Sequence, residues 1–481
     1  MKPKRWSSLV ACLLFILTIV SQQASAATWR TTKGLTNELV YTDNVNLAAD
    51  DERGGLSSRI APRISVQGSG RGMKLNFGYS PSYLYRFYSG GDNGFDHNLS
   101  ANLESELYQD LLFLDAKANG GLRLVDPFGN NPGDGINESD NVRQNFSLSV
   151  SPYIRQHFGS YADLKIGYSY SKVWNDGFSS SDGHAADFDL TSGRRFQIVD
   201  WGINGSIQQT KYQDGDDSIF ANVKGRVGYA INRSWRINAF IGYDDNEFLD
   251  QAGERSTTES GGFAYGGGFT WTPSSRTSFD FSVADRFFGT NLYFNFKHKS
   301  RRSVWTASLT HEPTNARNES LSSQTFQTTD AFGEPILDPS GEPVYIDPDA
   351  PLFSSEDYVR RKLELGYVRT LRRGELGISG FYTERDYSDN RRDTSGYGIT
   401  ANYSRNLLSQ FNGDLRISWT NNSSGDGSSD LTNWIVAAGI NRQLSARTNL
   451  AFNLQHRRQV SDEPSDEYSE NRATLTLGTT W

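Results

Sequence analysis

Residues 73–87 read MKLNFGYSPSYLYRF. In an extended chain Met73, Leu75, Phe77, Tyr79, Tyr83, Tyr85 and Phe87 fall on one side, and Lys74, Asn76, Gly78, Ser80, Ser82 and Arg86 on the other. Successive side chains of a strand point to opposite faces, so this period of two marks a half-buried strand and not a helix. The same split recurs in LKIGYSY (164–170), WRINAFIGY (235–243) and TNLAFNLQH (448–456). Nearly every segment after residue 26 repeats it: an alternating run, a turn, and another run.

A soluble β-sandwich alternates as well, so strand length and turn rhythm carry the distinction. Soluble strands average about 5 to 6 residues, whereas a tilted strand crossing a bilayer needs about 9 to 11. The runs here are of the longer kind. Their connections also alternate. Short turns at 68–72, 230–235, 272–277, 370–374 and 441–447 take turns with acidic, Gly/Asn/Asp/Ser-rich links at 44–55, 126–141, 244–254, 421–430 and 461–470. Such a rhythm places short turns on one rim and long loops on the other. From Arg30 to Trp481 it predicts roughly 22 strands (20–24), an even number that puts both termini on the short-turn, periplasmic side. Residues 186–212 read either as one long strand or as a hairpin.

Backbone accounting then predicts closure. Hydrocarbon offers no partner for an unpaired N–H or C=O, so a sheet with one apolar outer face must close on itself. The expected fold is an all-β transmembrane antiparallel up-and-down barrel. Composition agrees: 13% aromatic residues and 46 glycines in a chain of mean hydropathy −0.59 and net charge −8 are strand-and-turn chemistry. Tyr83, Tyr85, Tyr168, Tyr243, Trp419 and Trp481 suit the aromatic girdles at the two membrane interfaces.

Residues 1–26 form a secretory signal peptide by pattern: Lys2, Lys4 and Arg5, then an apolar run from Leu9 to Val20, then Ala24, Ser25 and Ala26 before the cut. The apolar run is shorter than the ~20 residues of a spanning helix. The single Cys12 lies inside it, so the mature chain has no cysteine and must gain rigidity without disulfides. The barrel domain is therefore 27–481. Its first strand begins close to the cut, which leaves no separate plug domain ahead of it and argues against a siderophore-type active transporter.

By parity Lys74, Arg86, Lys165, Arg236, Lys362, Glu364 and Arg416 face inward. A lumen with mixed charges is either a hydrated channel or one filled by salt-bridged side chains and loops. The longest link, 313–355, contains FGEPILDPSGEPVYIDPDAP, whose prolines exclude a sheet interior. It reads as a flexible extracellular loop in preference to one that folds inward to narrow the barrel. Acidic residues crowd the long loops and basic ones the short turns (Arg71, Arg233, Arg276, Lys297, Lys299, Arg301, Arg372, Arg373). That sidedness serves solubility of both rims or steering of charged cargo. With an acidic balance and no basic-aromatic platform, the chain is not expected to bind nucleic acid.

No catalytic, cofactor or metal motif stands out, and the chain is not expected to be an enzyme. The histidines (97, 157, 184, 298, 311 and 456) are scattered over the strands. Asp96, His97 and Ser100 form the trio a barrel hydrolase would need, a remote reading, because an Asp- and Ser-rich barrel supplies such trios by chance. The Asp clusters at 91–96, 214–217 and 424–430 lack the ligand spacing of a calcium loop that ends in a bidentate Glu.

The stretch 38–118 resembles the PEP-CTERM system-associated outer-membrane β-barrel proteins. The matching features are YTDNVNLA (41–48), YLYRFY (83–88), HNLSANLESEL (97–107) and DLLFLDA (110–116), with SGRRF (192–196) and FGEPILDPSGEP (332–343) further on. The resemblance implies a Gram-negative outer membrane and an exopolysaccharide setting, and it assigns no functional residues. Its implied partners are exopolysaccharide and its periplasmic export components, beside lipid and the outer-membrane assembly machinery. Two functions fit: a conduit for surface polymer, or a docking barrel with a closed lumen that retains polymer or partner proteins.

The chain ends NRATLTLGTTW. Leu475, Leu477 and Thr479 alternate toward lipid and Trp481 closes the run, the form of an assembly signal on a closing strand that pairs with the first strand near residues 37–41.

Overall fold

A computed structural model describes residues 27–88, 90–132, 135–250, 252–256, 260–322, 349, 351–387, 393–408, 410–425 and 430–481. The expected signal peptide at 1–26 and most of the 313–355 link therefore lie outside the described residues. Twenty-two strands, β1 to β22 in chain order, form one antiparallel sheet in which every strand pairs with its sequence neighbours. The pairing of β1 (Thr28–Thr42) with β22 (Tyr468–Thr480) closes it into a barrel, in the register Leu39 opposite Leu475 and Leu35 opposite Thr479. The backbone of Lys33 donates to Trp481 O at 3.1 Å and accepts from Trp481 N at 2.9 Å. The ladder has no free edge, which supplies rigidity that residues 27–481, with no cysteine, cannot take from disulfides.

Strands run from 10 residues (β13, Thr277–Arg286) to 17 (β6, Val142–Phe158), long enough to cross a bilayer. The ambiguous 186–212 region resolves as a hairpin of β8 (Ser181–Ser192) and β9 (Val199–Tyr212). Several strands continue into what the sequence suggests are long links: β11 (Trp235–Glu247) and β19 (Phe411–Ser424) both run on past the expected membrane edge. Short turns such as 71–72 and 275–276 gather on one rim, and loops such as 43–54 and 462–467 on the other. Both ends of the barrel chain lie on the short-turn rim.

The outer face carries Leu39, Ile60, Ile166, Ile207, Val227, Ile241, Ile399, Leu454 and Leu475 in exposed positions, with Tyr83, Tyr85, Tyr168 and Tyr243 among them. Trp419 packs between Tyr397 and Trp434 on that face. A belt of this breadth belongs against lipid. Ile241, at mid-strand and 63% exposed, tests it: Ile241→Arg is expected to cost about 2–4 kcal/mol of folding stability in bilayers, measured by urea titration in lipid vesicles. A change near zero would place this position away from hydrocarbon.

Candidate functional site

Near the long-loop rim the barrel's own loops enter the polar lumen. The 313–355 link does not simply project outward: its described ends fold into the barrel. Strand β15 (Ser303–Asn315) runs directly into a helical turn, α1 (Ala316–Ser322), whose Ala316, Arg317, Glu319 and Ser320 are buried. Asn315 fixes this entry. Its Oδ1 accepts from the backbone of Asn318 at 2.8 Å, while its Nδ2 donates to Asp357 Oδ1 at 2.8 Å on β16 (Asp357–Thr370). One side chain thus shapes the first turn of α1 and ties the two stems of the loop together. Asp357 also accepts from the backbone of Leu249, which is wholly buried, and so draws in the loop between β11 and β12 (Gly262–Ser274).

The turn α1 spans the lumen through opposite contacts. On one wall Arg317 donates to Ser181 Oγ at 2.8 Å and to Ser171 Oγ at 2.7 Å, on β8 and β7 (Ala162–Asn175). On the other wall Glu319 lies 3.3 Å from both Arg360 and Arg385 and accepts from Tyr358 at 2.6 Å. Asp349, from the returning end of the loop, pairs with Lys362 at 3.0 Å and Arg385 at 3.2 Å and accepts from Thr383 at 2.8 Å. Arg385, on β17 (Gly374–Tyr387), therefore serves both loop carboxylates. Burial alone would raise the pKa of Glu319 and Asp349. The cations beside them, Arg385 foremost, more than offset that and hold both below their ordinary values.

A second loop, 125–141, folds in from another side. Its Ile136 packs on Val40 and Leu84, and Gly135 takes φ +74°, a turn conformation open to glycine at little cost. The Arg86 guanidinium donates to the carbonyls of Gly135, Ile136 and Asn137. Asn137 donates to Glu470 at 2.9 Å and to the Asn44 carbonyl at 2.9 Å. Glu470 is itself paired with Arg472 at 3.0 Å and accepts from Thr42 at 2.7 Å. The two loops meet where Phe353 N donates to the Val125 carbonyl at 2.9 Å. Beneath α1, Leu321 covers a polar cavity of about 300 Å³ on the inner wall, lined by Asp115, Lys117, Ser149 and Lys165.

The charges expected to face inward make the following contacts. Arg86 and Lys362 hold the closure; Lys362 also pairs with Glu364 at 3.1 Å, and Arg236 pairs with Asp200. Arg416 lies near Arg457, Lys74 stands opposite Glu104, and Lys165 lines the cavity. Sequence reasoning missed Arg360, Arg385, Glu470 and Arg472. All four share the lumen parity of their strands, and carrying the parity count to the strand ends would have found them. Glu319 and Asp349 had no such signal, being loop residues.

The hydrolase trio is not brought together. Strand β4 (Gly94–Tyr108) alternates, so His97 stands on the outer face, hydrogen-bonded to Tyr79 at 2.8 Å and flanked by Phe95 and Phe146, while Asp96 and Ser100 point the other way. Among the described residues no group of three or more His, Cys, Asp or Glu side chains is arranged to hold a metal ion. Part of the 424–430 cluster lies outside them.

No family model and no curated protein matches this chain. Solved structures do. The siderophore receptor PirA from Acinetobacter baumannii aligns with a TM-score of 0.50 at 8% identity, over 94% of this chain and 80% of that one. A variant of the ferric enterobactin receptor PfeA from Pseudomonas aeruginosa, in complex with enterobactin, aligns with a TM-score of 0.51 at 8% identity, over 95% of this chain and 82% of that one. The chain folds as an outer-membrane β-barrel. At this identity the likeness is one of fold alone, and what those receptors bind is a property of theirs.

Proposed function

We propose that the protein is a loop-gated conduit of the outer membrane for a hydrophilic surface product, of the exopolysaccharide class that the sequence resemblance implies. The supporting observation is what enters the lumen: the inward segments described above are loops from the long-loop rim, held to the barrel wall by side-chain ion pairs and hydrogen bonds and not by strand pairing. A closure of that kind can leave while the wall stays intact. Removing residues 316–356 and joining Asn315 to Asp357 through a two-residue Gly-containing turn keeps the β15–β16 pairing, because these residues already face one another in the ladder. The wild-type barrel is expected to show brief, rare openings in planar bilayers, and this variant a large, steady conductance. A shortened, heat-modifiable barrel as silent as the wild type would overturn the conduit reading.

The docking alternative gains support from the enclosure of Glu319 and Asp349, whose charges are fully matched inside the barrel. It predicts that a deletion strain secretes normal amounts of polymer but fails to retain it at the cell surface.

A further inference from the structure

The inner wall near the short-turn rim carries a patch that the closure does not use. Phe113 and Tyr153, on β5 (Leu112–Leu124) and β6, lie directly across from one another with ring centroids 5.1 Å apart and planes 11° apart. The Arg155 guanidinium sits 4.9 Å from the Phe113 centroid, and Lys165 Nζ sits 4.9 Å from that of Tyr153. Arg155 and Lys165 face one another across β6 and β7, so the four side chains form one surface. One pleat further along β5, Asp115 and Lys117 stand opposite Ser151 and Ser149, where the cavity under α1 begins.

Two features of the patch select a ligand. Arg155, Lys165 and Lys117 act electrostatically on Asp115, as Glu104 does with the opposite sign, and two of the cations rest on ring faces. A cation held on an aromatic ring keeps its N–H groups for a carboxylate, and a guanidinium can give two of them in parallel. Beside it are flat apolar rings and a row of hydroxyl, amide and carboxylate groups suited to a polyhydroxylated molecule. The cavity volume, about 300 Å³, is at the small end of ligand sites. We propose that this patch is a binding subsite for a carboxylated sugar unit: Arg155 and Lys165 take the carboxylate, the Phe113–Tyr153 wall takes the sugar's C–H face, and Asp115 and Ser149 take hydroxyls. It rests on the conduit reading in that the ligand must enter the lumen, and it lies on the side of α1 facing the short-turn rim.

Titration calorimetry on the purified full-length barrel in detergent, with trigalacturonate as the acidic probe and maltotriose as the neutral one, tests it. Saturable binding of trigalacturonate alone is expected, weakened at least tenfold in Arg155→Gln/Lys165→Gln and in Phe113→Leu, and unchanged in Arg236→Gln, a lumen cation on another wall. Equal binding of both sugars, binding that the patch variants leave unchanged, or no binding overturns the subsite. Conductance of the loop-deleted barrel is scored separately. Sugar binding without conductance keeps the subsite and removes the conduit; conductance without sugar binding does the reverse.

Discussion

Neutralising the two loop carboxylates, Glu319→Gln with Asp349→Asn, is expected to open the barrel. Each substitution keeps size, removes the charge and turns one acceptor oxygen into an N–H donor facing cations, so the loss falls hardest on Arg385, whose ion pairs are with these two carboxylates, while Arg360 keeps Glu312 and Lys362 keeps Glu364. The Arg385 and Asp349 side chains are only 5% and 3% exposed, so the stranded charge is costly. Removing one partner of a buried pair costs about 3–5 kcal/mol. Even the lower figure, applied to the docked loop, shifts its closed-to-open ratio about 100-fold. Planar-bilayer recordings should show open probability rising by about that factor, with far-UV circular dichroism and heat-modifiability unchanged. Unchanged open probability would mean that these ion pairs do not hold the closure.

The same residues give the gate a pH dependence of known sign. The docked pKa values of Glu319 and Asp349 lie below the ordinary 4.5 and 3.8. A group whose pKa is depressed on docking stabilises the docked state above its undocked pKa and loses that contribution as pH falls through its docked pKa. Closure should therefore persist at neutral pH and through the ordinary carboxylate range, then weaken below it. Recordings against pH check this, and opening that began above pH 5 would contradict it.

Trp481→Asp is expected to remove most of the barrel from the outer membrane while changing the stability of barrel already folded far less. The reason lies in the seam. Trp481 is 57% exposed, and its fixed contacts to β1 are backbone hydrogen bonds to Lys33, which aspartate can also make. What aspartate lacks is an aromatic ring at the membrane interface, following Leu475, Leu477 and Thr479 on the lipid face. Heat-modifiable barrel in outer-membrane fractions, compared with unfolding of the variant refolded in vesicles, separates assembly from stability. Wild-type levels in the membrane would show that the terminal ring is not an assembly signal.

Much of this was legible in the chain and some was not. Lys74 and Arg86 were placed on the inner face from MKLNFGYSPSYLYRF alone, because the two-residue period of a pleat is a local property and survives any tertiary arrangement. The β1–β22 seam was legible too, since lipid forbids an open edge and only the two terminal strands lacked partners. The inward course of the described ends of the 313–355 link was not. Its composition is that of a solvated loop, and its prolines state only that it is no strand. The same parity already sets Asp96 and Ser100 on the face opposite His97.

The sequence by itself determined the wall: its strands, its two rims and its closure. Only the tertiary structure decided what fills the lumen. Glu319 meets Arg385 across 66 positions and Asn137 meets Glu470 across 333, and no periodicity links residues so far apart. Their meeting depends on the curvature of a 22-stranded sheet, which sets Ser171 and Ser181 on one wall against Arg360 and Arg385 on the other at a span that α1 can bridge. Buried charge then requires a partner, and that requirement selects the loops that carry one.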